Sequence, residues 1–258
     1  MSRAEEPPPP GSAARDLWAA ALHLLFPSPC HVCGAPLDRE RVGSLCGRCW
    51  QALERMPPAG CQRCGWPFPG AEAAAGTEQA LCQRCRESED AFRLARAVLR
   101  YRTEGTARAA ILLAKHGGRL PLLRRLAWLL AAEAPRYLPM TGWDALVPVP
   151  LHWRRRWERG FNQAEVLGRA VGRQHGLPLL RRVLVRVRPT PMQQGDLDAR
   201  RRNVREAFAV RKPRAVRGRR LLLVDDVFTT GATTGACARV LMAAGAGEVC
   251  VWTLARGI

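Results

Sequence analysis

No Gly-Lys-Ser/Thr occurs in this sequence, so a Walker loop is excluded. Gly231 and Gly235, the glycines of its one phosphate-loop candidate, are wrongly spaced for a dinucleotide-binding turn. No apolar run reaches membrane-spanning length: Leu17 to Phe26 is about half a span and contains His23, so it reads as a short amphipathic helix packed on the protein. No secretory signal is visible either, because Glu5 and Glu6 precede Pro7 to Pro10 where a basic run and an apolar core would stand. Residues 1–14 are rich in Pro, Ala, Gly and Glu and are expected to be disordered. The expectation is a cytoplasmic chain without a membrane span, with globular composition and room for one or two domains in 258 residues. Acidic side chains are scarce, 22 against 41 Lys and Arg, which leaves a net charge of +19 carried almost entirely by Arg. That favours polyanionic partners, either nucleic acid or phosphorylated small molecules. A GC-rich genome also enriches Arg, so placement has to support the charge argument.

Cysteine, by contrast, is concentrated. Four Cys-x-x-Cys pairs fall within residues 30–85: Cys30/Cys33, Cys46/Cys49, Cys61/Cys64 and Cys82/Cys85. In a cytoplasmic chain such pairs mean metal or redox chemistry, not disulfides, and four so close together argue for metal. Eight thiolates fill two tetrahedral zinc sites. The 17-residue gap from Cys64 to Cys82 suits a zinc ribbon, and the 12-residue gap from Cys33 to Cys46 is a little short. Sequential pairing gives two ribbons, and an interleaved arrangement stays open. Large apolar residues are few here, so zinc has to replace a core. No His completes a three-ligand catalytic site, which makes both zinc ions structural; His31 reads as a surface residue.

The stretch that organises the remainder begins at Leu221. Leu221 to Val224 reads as a buried, parallel-type strand with Asp225 and Asp226 at its carboxyl end. The loop Thr229-Thr230-Gly231 follows, and a helix runs from Ala232 until Gly245 stops it. Ligands of open α/β sheets sit outside the carboxyl ends of strands. A helix start offers free N–H groups to an anion, small residues let the backbone approach, and Thr hydroxyls add donors. Carboxylates repel phosphate, so the acid pair should face ribose hydroxyls or a cation.

Other elements surround this unit. Leu94 to Arg102 alternates as a strand, and Thr106 to Lys115 and Leu120 to Ala134 read as helices. Lys115 is either an anion contact or a solvated helix end. Ala145 to Val149 is an apolar strand, and the segment Leu151 to Gln163 after it carries four Arg and two Trp, a second anion site at the same sheet edge. A helix runs to about His175, Leu179 to Val187 reads as a strand, and Glu248 to Leu254 is the last strand. Thr190 to Phe208 is polar and too long for a turn, as a lid would be. Residues 151–220 hold 20 Lys and Arg against 5 Asp and Glu, so most of the surplus frames the phosphate strand.

The acid pair and Thr-Thr-Gly loop resemble the PRPP-binding loop of type I phosphoribosyltransferases. Together with Pro148-Val149-Pro150-Leu151, Arg159-Gly160-Phe161-Asn162-Gln163 and Thr190…Gln193…Arg202-Asn203, behind paired cysteines, they look like the ComF family, over roughly residues 20–256. The resemblance implies an α/β, type I phosphoribosyltransferase-like fold, with a Rossmann-like, open and mostly parallel sheet and an N-terminal double zinc ribbon. The implied division is a tail (1–14), a ribbon region (15–88) and a phosphoribosyltransferase-like domain (89–258). By this resemblance Asp225 and Asp226 hold the ribose hydroxyls, and they are catalytic candidates. Thr229, Thr230, Gly231, Ala232 and Thr233 wrap the 5′-phosphate. Mg²⁺ accompanies the PRPP-type ligand. Leu151, His152, Arg154, Arg155 and Arg156 meet the pyrophosphate, and Gln193, Arg202 and Asn203 belong to the lid. His152 and Asp144 are weak options for a general base. The acceptor is not legible.

A second reading makes the chain a binding protein that senses PRPP or a nucleotide. Its Arg surface would engage single-stranded DNA, since Trp153, Arg154, Trp157 and Arg159 interleave rings with cations. The competing possibility is that both Trp pack inside under the Arg. The resemblance adds DNA uptake and competence-machinery proteins as partners. A purely structural adaptor would leave the acid pair and Thr loop without purpose.

Overall fold

The computed structural model describes residues 29–37, 45–68, 80–88, 90–116, 119–188 and 207–258. The N-terminal tail, the Leu17–Phe26 segment and the lid residues Gln193, Arg202 and Asn203 lie outside them. Each ribbon contributes one short helix opened by a cysteine: Cys46 precedes α1 (Gly47–Gln51) and Cys82 precedes α2 (Gln83–Glu87). Then come β1 (Ala95–Tyr101), α3 (Thr106–His116), α4 (Leu120–Tyr137), β2 (Ala145–Pro148), α5 (Trp153–Arg159), α6 (Gln163–His175) and β3 (Leu184–Arg186). The chain ends with β4 (Phe208–Val210), β5 (Arg220–Phe228), α7 (Ala232–Ala243) and β6 (Glu248–Gly257).

The apolar strands pair in parallel in the order β1-β6-β5-β2. As expected of parallel strands, both faces are covered. On one face Leu146, Leu222, Val224, Trp252 and Leu254 pack against α3, α4 and α6, together with Cys30, Leu45 and Cys49 of the first ribbon. On the other, Val147, Leu221, Leu223 and Val251 pack against α7, the β3–β4 hairpin and Cys61, Cys64 and Cys85 of the second ribbon. Each metal-ligand set is therefore continuous with one face of the core. The ribbon region also closes a sheet edge, because Met56 N–H donates to the Val98 carbonyl (2.7 Å) and Arg100 N–H to that of Glu54 (2.9 Å).

Two local expectations change, and one segment takes a form the sequence left open. The segment Leu179–Val187 is not one strand. Leu180 N–H donates to Leu146 O (2.8 Å) beyond β2, whereas Leu184 to Arg186 pair with β4, so the chain must turn between two different partners. The segment after Pro150 coils into α5, which Gly160 ends in the left-handed region (φ 73°). Helix α4 runs past Ala134 through Pro135. Proline withdraws the N–H that would bond the Ala131 carbonyl, and the His175 ring supplies a donor to that oxygen instead, Nε2 to O 2.9 Å.

Candidate functional site

β5 carries the acid pair into the carboxyl end of the sheet. Adjacent strand residues point to opposite faces, and the two carboxylates divide accordingly. Asp226 Oδ2 lies 3.0 Å from Lys115 Nζ at the end of α3. Asp225 sits beside Cys237 of α7 and Arg186 of β3, and its Oδ1 accepts from the Asp226 N–H (2.9 Å). Burial, and then the neighbouring Asp226 charge, push the Asp225 pKa up to about 8. Arg159 from α5 also approaches: burial pulls its pKa below the ordinary value and the Asp226 carboxylate opposes that shift. Three elements, α3, α5 and β3, thus bring cations to the acid pair. Lys115, which the sequence left open, is an ion-pair partner.

The loop after β5 turns on one glycine. Gly231 has φ 71°, where L side chains are disfavoured, and a Cβ there would stand 2.7 Å from the Phe228 ring and 2.7 Å from the Arg84 guanidinium. As the cap residue of α7 it brings no capping side chain, and the nearest substitute is a long 3.4 Å bond from Ala232 N–H to Thr230 Oγ1. The start of α7 is thus open to an anion, with Thr229 and Thr230 exposed beside it and Ala232 and Thr233 half-buried. Gly231→Ala should cost about 1–3 kcal/mol from backbone strain alone, more from the ring clash, and should weaken phosphate binding. Denaturant titration and ³¹P line broadening would read these two effects. An alanine variant of wild-type stability would mean the turn relaxes without the glycine.

The cysteines fall into two sets, Cys30/Cys33/Cys46/Cys49 and Cys61/Cys64/Cys82/Cys85, with all ligand atoms of a set within 4.8 Å of one another. This is the sequential arrangement. The Cys33–Cys46 and Cys64–Cys82 sulfurs are 3.6 Å apart, close to the roughly 3.8 Å edge of a tetrahedron with Zn–S bonds of about 2.3 Å. Backbone N–H groups of Cys46 and Cys82 donate to Cys30 and Cys61 Sγ, each at 3.3 Å, as suits thiolates. Four thiolates around Zn²⁺ carry a net charge of about −2, and the second centre has a buried counter-ion. Arg256, 2% exposed, donates from Nη2 to Cys64 Sγ (3.2 Å) and lies between the Trp66 and Phe228 rings at 5.3 and 4.7 Å. Phe228 in turn abuts Gly231, so the second centre braces the anion loop.

The segment after Pro150 splits its residues between two directions. His152 is buried, its ring 5.6 Å from that of Trp153. Leu151 and Arg155 are half-buried. Arg154 belongs to the same helix. Arg156 does not join the acid pair; its Nη2 lies 3.8 Å from Glu165 on the outer side of α6. Trp153 and Trp157 are 65% and 88% exposed, so they do not pack inside under the arginines. Asp144 is removed from the site altogether, since its Oδ2 accepts from Arg220 N–H (2.8 Å) at the amino ends of β2 and β5. Sequence reasoning missed Arg186, Arg256, Arg84 and the buried Gln163, whose amide makes no hydrogen bond to the described residues and lines a small cavity with Lys115 and Asp226. Only Gln163 carried a signal, as part of the Arg-Gly-Phe-Asn-Gln run.

Residues 21–86 match the family described as the double zinc ribbon domain. "DNA utilization protein YhgH" of Salmonella typhi is 33% identical over 240 residues, spanning 90% of this chain and 99% of the relative. "Competence protein F" of Haemophilus influenzae is 38% identical over 136 residues, spanning 52% of this chain and 59% of the relative. Among solved structures, glutamine phosphoribosylpyrophosphate (PRPP) amidotransferase from B. subtilis, complexed with ADP and GMP, overlaps 50% of this chain and 25% of its own, with 21% identity and a TM-score of 0.34. With paired Cys₄ sets, a parallel α/β sheet, similarity to the Salmonella typhi protein over nearly its whole length and partial similarity to the competence protein, the chain belongs to the ComF family.

Proposed function

We propose that the chain binds PRPP, or a related phosphoribosyl ligand, with Mg²⁺ at the carboxyl end of β5, and that it takes part in handling single-stranded DNA. The observation that carries the first part is the β5–loop–α7 unit, where two carboxylates precede an uncapped helix start on a left-handed glycine. The 5′-phosphate would accept from the first-turn N–H groups and the Thr hydroxyls. Asp225 and Asp226 would accept from the ribose hydroxyls, which requires Lys115 to release Asp226. Mg²⁺, when bound with the ligand, neutralises the pyrophosphate and takes few protein ligands. Arg155 and Arg159 are the described cations on the α5 side that could meet the pyrophosphate. Support for the DNA part comes from the names of the relatives, a DNA utilization protein and a competence protein, and from the arginine surplus.

Turnover would break the bond between C1 and the pyrophosphate and join C1 to a nitrogen nucleophile. A binding-only reading draws on one observation, the Lys115–Asp226 pair at 3.0 Å, which occupies half of the acid pair. Calorimetric titration of zinc-loaded protein with Mg–PRPP, with pyrophosphate release followed in the same sample with and without single-stranded DNA, tests both. Binding with release identifies an enzyme, and binding without release in the presence of a panel of nitrogen acceptors, ammonia and free nucleobases, identifies a sensor. Failure to bind in the millimolar range would overturn the phosphoribosyl reading.

A further inference from the structure

A groove of about 900 Å³ runs between α4 and α6 on the outer side of the sheet's helical layer. The carboxyl end of β5 does not line it. Five arginines, Arg124, Arg156, Arg169, Arg173 and Arg181, and one carboxylate, Glu165, give its walls a net charge of +4. The floor includes Ala127, Ala131, Val166 and Ala170, and Trp128 stands in the wall 55% exposed, on a helix whose Leu126, Leu129 and Leu130 are all buried.

Three of the five arginines are held in place. Glu165 is 7% exposed, and guanidinium groups from three different segments converge on it. They are Arg156 from α5 at 3.8 Å, Arg169 from α6 at 3.0 Å, and Arg181 from the turn before β3. Three guanidiniums present roughly fifteen N–H donors, and one carboxylate offers about four acceptor positions. Most of the donors therefore remain for another anion. The three side chains are 46–53% exposed, half pinned and half facing water. An array fixed by a buried acid loses less rotamer entropy on binding than arginines loose on a surface.

From this placement we infer that the α4–α6 groove is a track for single-stranded nucleic acid, with the Glu165-held arginines on phosphates and Trp128 stacked on a base. The inference rests on the DNA part of the proposed function and gives it a location. A recess with an exposed ring suits an unpaired base, whose face is open for stacking, while duplex bases are already stacked on one another. Arg156 and Phe161, at the junction with α5, place the groove next to the exposed Trp153 and Trp157, so the strand can continue over that helix.

The test is fluorescence anisotropy of a labelled 20-nucleotide single-stranded DNA with the intact, zinc-loaded chain at several salt concentrations. Arg124→Glu/Arg173→Glu changes two exposed rim residues and leaves the Glu165 array alone. It should weaken binding at least thirtyfold, and it should flatten the slope of log K against log salt by about 1.4, from about 0.7 per lost phosphate contact. Trp128→Ala should weaken binding about tenfold without changing the slope. Zinc content and thermal midpoint, unchanged in both variants, exclude misfolding. Wild-type binding that both variants retain would overturn the groove while leaving DNA binding elsewhere intact. Absence of wild-type binding would overturn the groove and the DNA part together and leave the phosphoribosyl reading standing. Displacement of the DNA by polyglutamate of equal charge would reduce the groove to a general polyanion surface and contradict base stacking.

Discussion

Replacing both acids, Asp225→Asn with Asp226→Asn, should lower Mg–PRPP affinity about a hundredfold at pH 8 without unfolding the chain. Asn keeps a carbonyl acceptor, so two charge-assisted bonds of about 1.5–3 kcal/mol each become neutral ones of about 0.5–1.5 kcal/mol, a loss of about 2–3 kcal/mol, or close to two decades. The single change Asp225→Asn separates binding from stability. Because the folded-state pKa of Asp225 is raised from 3.8 to about 8, the folded chain holds a proton that the unfolded chain has released between those values. The folded state binds more protons, so this group's contribution to stability falls as pH rises from about 4 to about 8. Asp225→Asn removes that slope, and the variant should melt above wild type at pH 8 and close to it at pH 4. Ligand binding should run the other way in wild type, strengthening toward pH 8 as the carboxyl ionises, and should lose that dependence in Asp225→Asn. A wild-type affinity independent of pH, or a double variant that binds as tightly as wild type, would remove Asp225 and Asp226 from the ribose.

Stripping the metal should have the larger effect on the fold. Metal analysis should give two zinc ions per chain. Chelation should collapse the near-ultraviolet circular dichroism of the whole chain, because each ligand set packs into one face of the sheet. Structural zinc contributes about 10–16 kcal/mol in small ribbons, against a total stability of about 5–15 kcal/mol for a domain. The two centres should not behave alike. Arg256 is buried against Cys64 Sγ, and neutral thiols would leave that guanidinium without its counter-charge. Arg256→Gln should therefore speed release of one zinc ion and spare the other, followed by a colorimetric chelator. Zinc-free protein with native dichroism, or equal release from both centres in Arg256→Gln, would contradict this arrangement.

What could be read from the sequence was local. The β5 run, the acid pair, the Thr-Gly turn and α7 lie within residues 220–243, and their periodicity and small residues mark them directly. The Cys-x-x-Cys spacing marked two zinc sites but not which pairs share one, since that depends on how the chain folds back between pairs. The carbonyl that Pro135 leaves without its helical donor, that of Ala131, meets a histidine ring 44 residues further along the chain. Arg256 and Cys64 are 192 residues apart, and no pattern near either one announces the contact. The sequence assigned Arg156 to the pyrophosphate and Arg159 to nucleic acid. Helical geometry sends them to Glu165 and toward Asp226 respectively, so a single basic run serves two surfaces.

A crystal structure of the zinc-loaded chain soaked with Mg–PRPP tests the central claim most directly. The account requires the 5′-phosphate within hydrogen-bond distance of the Ala232 and Thr233 N–H groups, the ribose hydroxyls on Asp225 and Asp226, and Lys115 withdrawn from Asp226. Density for the ligand anywhere else, or an intact Lys115–Asp226 pair beside an empty loop at saturating ligand, would contradict it.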